Sequence, residues 1–376
     1  MKIAVNTRLL LDGRLEGIGW FSYEILSRIT QGNPNTQFYF FFDRSYSQKF
    51  IFSKNVIPVV LQPQARHPLL FKIWFDFSVK RALKKIKPDI FISPDGYLSL
   101  TTNVPQIPVI HDLNFEHHPH DMPKRHLNYY KKYFPLFAKK AKHIITVSEY
   151  SKKDISQTYN VSPDKISVVY NAPADVYKPL ADLEKQNVRE NYSNGCPYFI
   201  YVGSINARKN PINLLKSFDK FKSETASDYK LLIVGSKMWK YPEFDFALKT
   251  MKNKQDVIFL GHTQREELSK LASSARALMF LSYFEGFGIP LVEAMKAETA
   301  ILTTNYTAMP EICGEAALYT NPFDVDDIAS KMKILATDDD MVKHLIEKGK
   351  QQVQKFNWDV SAQKFWEIIS SVIKHA

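Results

Sequence analysis

Short apolar runs alternate with longer amphipathic stretches along the whole chain, in two successive series. A run of about four to eight apolar residues is strand-sized, whereas apolar residues spaced three and four apart bury one face of a helix. Alternation of the two is the pattern of a parallel sheet covered by helices. In the first series residues 2–6, 37–42, 56–61, 90–92, 106–110, 143–147 and 166–169 read as strands, with helices over 18–29, 70–86, 125–141 and 149–157. The second series places strands at 198–202, 230–234, 257–260, 277–280 and 300–303, and helices at 211–221, 243–252, 266–275, 290–296 and 326–336. Between them lies a polar stretch punctuated by Pro173, Pro179 and Gly195, which reads as a hinge.

The expectation is an α/β protein of two similar halves facing across a cleft. Residues 1–172 form the first domain, 173–196 the linker and 197–356 the second domain, and a helix over 357–376 rejoins the first. At about 150 residues per domain, a chain of 376 residues suits two medium domains. Ligands of such sheets sit at the carboxyl ends of the strands, so the cleft is the expected site.

Composition narrows the setting. With 45% hydrophobic and 24% charged residues, the chain is an ordinary globular protein rather than a disordered one. Cys196 and Cys313 cannot form a disulfide framework and have no CxxC spacing, which suits a reducing compartment. The apolar run at Ile3–Val5 is too short for a signal peptide, and no run approaches the roughly eighteen residues of a membrane span. A cytoplasmic location is therefore expected. The formal charge of +11 points to an anionic partner.

Two segments carry chemistry. The first, residues 281–295, follows the strand at 277–280 and runs Phe284-Glu285-Gly286-Phe287-Gly288-Ile289-Pro290 into a helix that contains Glu293. A glycine-rich turn that feeds backbone amides and a helix N-terminus into one spot is an anion site, and a diphosphate fits it. A bound nucleotide sugar would meet Glu285 at its sugar and Glu293 at its ribose. The competing reading makes Glu285 a turn cap and Glu293 a solvated helix residue. In the second segment Gly203-Ser204-Ile205-Asn206-Ala207-Arg208-Lys209-Asn210 leads into a helix opened by Pro211. Arg208 as a fork and Lys209 as a point charge are set to neutralise phosphate, or else form an exposed basic loop.

Taken together, Glu285 and Glu293 in this context, Gly203 to Asn210 upstream and Met309-Pro310-Glu311-Ile312 downstream resemble glycosyltransferase family 4, the retaining group 1 glycosyltransferases of the GT-B fold, especially the mannosyltransferase-like members. Gly17-Ile18-Gly19 before a helix, His111-Asp112-Leu113 and Val147-Ser148-Glu149 are similar to further corners of that fold, and the resemblance spans the chain. It implies two Rossmann-like domains, with acceptor on the first and nucleotide on the second. It implies a metal-independent transfer of a hexose, with GDP-mannose ranked first, to a glycan or lipid-linked acceptor in cell-surface polysaccharide synthesis. No cofactor is expected.

Carried residue by residue, the resemblance makes Glu285 and His111 the catalytic pair, at the donor sugar and beside the anomeric centre. Arg208 and Lys209 would hold the diphosphate, Gly19 and the amides of Phe287, Gly288 and Ile289 would complete the cradle, and Glu293 would bind the ribose. Ser204 departs from the pattern, since many members have arginine there. A GT-B sugar-nucleotide epimerase and a non-catalytic sugar-nucleotide binding protein are the rival readings.

Other signals weigh less. Gly17-Ile18-Gly19 lacks the third glycine of a dinucleotide fingerprint, Ser22 standing in its place, although Asp43 follows the second strand. Asp324-Val325-Asp326 and Asp338-Asp339-Asp340 read as helix caps rather than metal ligands. The group His111, Asp112, His117, His118, His120 and Asp121 has no closed metal spacing. Residues 69–87 and 125–142 mix aromatics with lysines, so either helix is a candidate for peripheral contact with an anionic membrane on its inner face. No nucleic-acid motif is recognisable.

Overall fold

The computed structural model describes residues 1–237 and 241–375. It divides into two compact units: residues 1–171 with 357–376, and residues 172–356.

The first unit is built on a parallel sheet of β1 (Lys2–Asn6), β2 (Gln37–Phe42), β3 (Val56–Val60), β4 (Ile90–Ser93) and β5 (Gln106–Pro108), in the order β3-β2-β1-β4-β5. A parallel pair, β6 (Ile144–Thr146) and β7 (Ile166–Val168), continues it through a bridge between Val109 and Ile145. Strands such as QFYFFF and IFIS are aromatic and β-branched because helices cover both faces, so nearly every position is buried. The stretch expected as one helix over 70–86 is continuous but not uniform. Helices Pro68–Ile73 and Lys80–Ile86 flank a π-helical segment, Trp74–Val79.

The final helix, Trp358–Lys374, belongs to this unit. Asn357 caps it by accepting from the amides of Asp359 (2.7 Å) and Val360 (3.3 Å). Trp358 and Phe365 each pack edge-on to Phe21 at 6.2 Å on the helix Gly17–Gly32, and Arg28 donates to Asp359 at 2.6 Å.

The second unit carries a six-stranded parallel sheet of β8 (Tyr198–Val202), β9 (Lys230–Val234), β10 (Val257–Gly261), β11 (Ala277–Phe280), β12 (Ala300–Thr304) and β13 (Leu318–Thr320). Their order, β10-β9-β8-β11-β12-β13, puts the chemistry-bearing β8 and β11 side by side at the centre. The two aspartate clusters are caps. Asp324 accepts from the amides of Asp326 and Asp327 at the start of Val325–Thr337, and Asp338 accepts from Met341 at the start of Asp339–Val353.

The expected linker is not a separate segment. Residues 173–196 fall inside the second unit and include a helix, Asp182–Ser193. Glu184 accepts from the Ala181 amide at 3.0 Å, Leu180 donates to Ser273 at 2.9 Å, and Arg189 donates to the Ser274 carbonyl at 3.1 Å. The polar sequence hides the helix because it lies on one neighbouring helix, Arg265–Ser274, and needs few apolar residues: Val188 is buried while Leu183 is exposed.

Candidate functional site

In the second unit the chain leaves the carboxyl end of β11 as a buried loop and enters the helix Ile289–Lys296. The loop turns at Gly288, whose φ of +89° is a left-handed conformation. That conformation favours glycine, and a Cβ there would also press to 2.8 Å on Leu291 Cδ1, which would have to shift. Phe287 anchors the turn edge-on to Phe356 at 5.5 Å.

The neighbouring β8 delivers Arg208 and Lys209 in the 3₁₀ turn Ala207–Lys209. Asn206 caps this turn by accepting from the Lys209 amide, and Asn210, in a left-handed conformation, donates to the Pro322 carbonyl at 2.6 Å. The two loops are tied together. The Tyr283 amide donates to the Arg208 carbonyl at 3.2 Å, and Arg208 Nη1 donates to the Phe284 carbonyl at 2.8 Å.

Both cations converge on Glu285. Arg208 Nη1 lies 2.7 Å from Oε2 and Lys209 Nζ 2.6 Å from Oε1, so each carboxylate oxygen has its own cation. Lys209 also lies 4.6 Å above the Phe280 ring. Burial opposes the charge on Glu285, yet the two cations outweigh burial and hold its pKa down at about 2. Neither cation is an exposed basic loop residue, their side chains being 23% and 11% accessible.

Glu293 meets the opposite environment. It is buried rather than solvated, beside aliphatic Val202, Leu268, Leu278 and Pro290. Burial pushes its pKa up to about 7, against the pull of Arg265, whose Nη2 is 3.8 Å away, and of the Tyr177 hydroxyl, which donates to it. Sequence reasoning missed both partners. Tyr177 lies in the supposed hinge, and Arg265 opens the helix after β10; a large aromatic in a polar, proline-punctuated stretch was the available signal.

In the first unit His111 follows β5 and is buried. Its Nε2–H donates to the Pro94 carbonyl at 2.8 Å, which leaves Nδ1 as the lone-pair nitrogen of the neutral ring. Burial lowers its pKa, with partial opposition from that hydrogen bond. The ring stands edge-on to Phe21 at 5.2 Å. Close by is a buried ion pair that sequence reasoning did not single out. Arg8 Nε donates to Asp95 Oδ2 at 2.6 Å, Asn6 donates to Asp95 Oδ1 at 2.8 Å, and Arg8 lies over the rings of Tyr97 (4.6 Å) and Phe71 (4.9 Å). Its only trace in the sequence is three polar residues, Asn6 to Arg8, at the carboxyl end of β1.

Gly19 lies in the first helical turn, where a Cβ would meet the Leu9 carbonyl at 3.0 Å and Leu15 Cδ2 at 3.1 Å. Packing within the unit therefore already demands a small residue there. Asp43 is occupied: it binds Arg44 at 2.6 and 2.8 Å and accepts from the Ala65 amide at 2.9 Å. His117 pairs with Asp154 at 2.7 Å. The structure thus brings Arg208, Lys209 and Glu285 into contact, with Phe287, Gly288 and Ile289 on the same loop and Glu293 in the helix after it. His111 and Gly19 belong to the other unit.

The chain as a whole is similar to known glycosyltransferases. The family described as Glycosyl transferases group 1 matches residues 183–352, and Glycosyltransferase Family 4 matches residues 35–172. O-antigen chain mannosyltransferase B of Escherichia coli is 27% identical over 356 residues, 92% of this chain and 93% of that protein. O-antigen chain mannosyltransferase RfbU of Salmonella typhimurium is 30% identical over 280 residues, 74% of each. Among solved structures, HepE of Anabaena in complex with UDP-glucose is similar in fold, with a TM-score of 0.78 at 15% identity over 99% of this chain and 100% of that one. The lipopolysaccharide glycosyltransferase WaaG gives the same TM-score of 0.78 at 15% identity, over 98% and 99%. The two family models, the mannosyltransferase relatives and the two parallel α/β units place the chain in the group 1 glycosyltransferases of family 4, enzymes of the GT-B fold.

Proposed function

We propose that the enzyme transfers a hexose, mannose first among candidates, from a nucleoside-diphosphate sugar to a glycan or lipid-linked acceptor in cell-surface polysaccharide synthesis. The observation that carries this reading is the pair Arg208 and Lys209 held with Glu285 at the carboxyl ends of β8 and β11. The names of the relatives support mannose and a surface glycan. The UDP-glucose complex of HepE supports a diphosphate donor on this fold.

In this reading the bond from the sugar C1 to the diphosphate oxygen breaks and a bond from C1 to an acceptor oxygen forms on the same face. The acceptor proton passes to the departing phosphate, so configuration is retained and no oxidant is needed. Arg208 and Lys209, with the amides of Phe287, Gly288 and Ile289 at a helix N-terminus, offset the charge that grows on the leaving group, the task a metal ion performs elsewhere. Glu285 contacts the sugar and Glu293 the ribose.

Peripheral contact with the inner face of an anionic membrane is part of the proposal. Most apolar positions of residues 69–87 and 125–142 pack inward, but Leu69, Phe77 and Leu136 are exposed among lysines. Among the described residues no helix is long and apolar enough to cross a membrane.

The test is incubation with GDP-mannose and UDP-glucose, each with and without a lipid-linked oligosaccharide primer, followed by mass analysis of the primer. A hexose added with its anomeric configuration kept supports the proposal. Donor isomerised without primer would instead establish the epimerase, and donor bound but never consumed the non-catalytic protein.

A further inference from the structure

Arg208 and Lys209 are not open to a ligand: each already holds one oxygen of the Glu285 carboxylate, at 2.7 and 2.6 Å. Both hydrogens of Arg208 Nη1 are committed in this state, one to Glu285 and one to the Phe284 carbonyl at 2.8 Å. A carboxylate with one cation on each oxygen is, in charge and spacing, what a phosphate would be in the same place. The surroundings are fixed. The Glu285 amide donates to Thr307 Oγ1 at 3.1 Å, the Lys209 amide to Asn206 Oδ1 at 3.2 Å, and the Arg208 carbonyl accepts from Tyr283 at 3.2 Å. With the backbone of both loops tied down in this way, the exchange requires movement of the Glu285 side chain itself.

We propose that Glu285 is an internal stand-in for the diphosphate: it occupies the cation pair until the donor arrives, and the arriving diphosphate displaces it and releases it towards the sugar. The inference rests on the cation pair being the donor site, and it adds a mechanism for preferring the complete donor. A bare diphosphate must break two buried ion pairs and leaves the expelled carboxylate without a partner. A diphosphate that carries a sugar offers hydroxyls to the same carboxylate. The exchange therefore handicaps the product nucleotide against the substrate, which favours product release. The depressed pKa of Glu285 agrees with the strength of the resident pairs.

Calorimetric titration of the wild type and of Glu285→Gln with inorganic pyrophosphate, GDP and UDP, at low and at moderate salt, tests this. Removing the resident negative charge at nearly constant shape should tighten binding of pyrophosphate and of the favoured nucleotide by about tenfold, with a steeper salt dependence. The advantage of the matching nucleotide sugar over its bare nucleotide should shrink in the variant. Equal or weaker binding of these probes by Glu285→Gln, with the wild type binding them normally, overturns the exchange but not the donor site. Binding of none of them by either protein overturns the donor site itself. If Glu285→Gln fails to fold, Glu285→Asp, which keeps the charge but shortens its reach to the cations, must also bind pyrophosphate more tightly than the wild type, and failure to do so refutes the exchange.

Discussion

Glu285 and Glu293 sit on one loop and the helix that follows it, and both are buried, yet their surroundings drive them in opposite directions. Glu285 meets two cations and is held at about 2, whereas Glu293 meets aliphatic side chains, one phenol and a more distant guanidinium, and rises to about 7. At neutral pH the first is a permanent anion and the second is near its midpoint. The same residue type, eight positions along, thus has two different chemistries, and neighbours rather than burial decide which. Placed near a donor, a fixed anion serves the positively charged sugar of the transition state. A carboxyl that can gain or lose its proton suits hydroxyl recognition, where it either accepts or donates.

The comparison can be broken most sharply at Glu285. Replacement by glutamine should lower turnover at saturating donor by about two orders of magnitude or more, and unchanged kcat would remove Glu285 from the reaction. Next in size, Lys209→Gln should weaken donor binding by about tenfold to a hundredfold, since a hydrogen bond between charged partners contributes roughly 1.5–3 kcal/mol. The same change should raise the pKa of Glu285, which carboxylate NMR would detect.

At Glu293 the expected effect is on stability. A carboxyl raised from 4.5 to about 7 in the folded state contributes stability that is fully present below pH 4.5 and lost as pH rises through 7. Relative to Glu293→Gln, the wild type should therefore lose up to about 3 kcal/mol across that window in urea titrations. Glu285 has the reverse sign, since its contribution is present above pH 4.5 and lost as pH falls towards 2. A flat difference between wild type and Glu293→Gln would show that Glu293 is not desolvated. The smallest effect belongs to Tyr177→Phe, which should cost about 1 kcal/mol and move Glu293 further up, because the lost hydroxyl bonds the charged form. A downward move would mean that Tyr177 serves the protonated carboxyl instead.

Most strands were legible within a residue or two, because a buried parallel strand is a continuous apolar run, but the three-residue edge strand Leu318–Thr320 was too short to stand out. The cation pair and the glutamates drew notice by their place in the loops and helix after β8 and β11, and the resemblance to the family supplied their roles. The environments of the glutamates were not legible. Tyr177 and Arg265 reach Glu293 from about a hundred residues upstream and from the mouth of another strand, and no local pattern links them. The helix Asp182–Ser193 escaped for a related reason: a helix docked on a single neighbour can be polar on most of its surface, so its composition resembles a tether. The Arg8–Asp95 pair lies 87 residues apart in sequence and is joined only by the sheet order, in which β1 and β4 are neighbours.

The return of Trp358–Lys374 to the helix Gly17–Gly32 has a consequence for how the polypeptide is made. One unit is a continuous stretch, while the other is assembled from two pieces with the whole of its companion between them. On the ribosome the continuous unit emerges complete and can fold as a piece. In the other, the contacts of Phe21 with Trp358 and Phe365 can form only after the helix that carries them has been made.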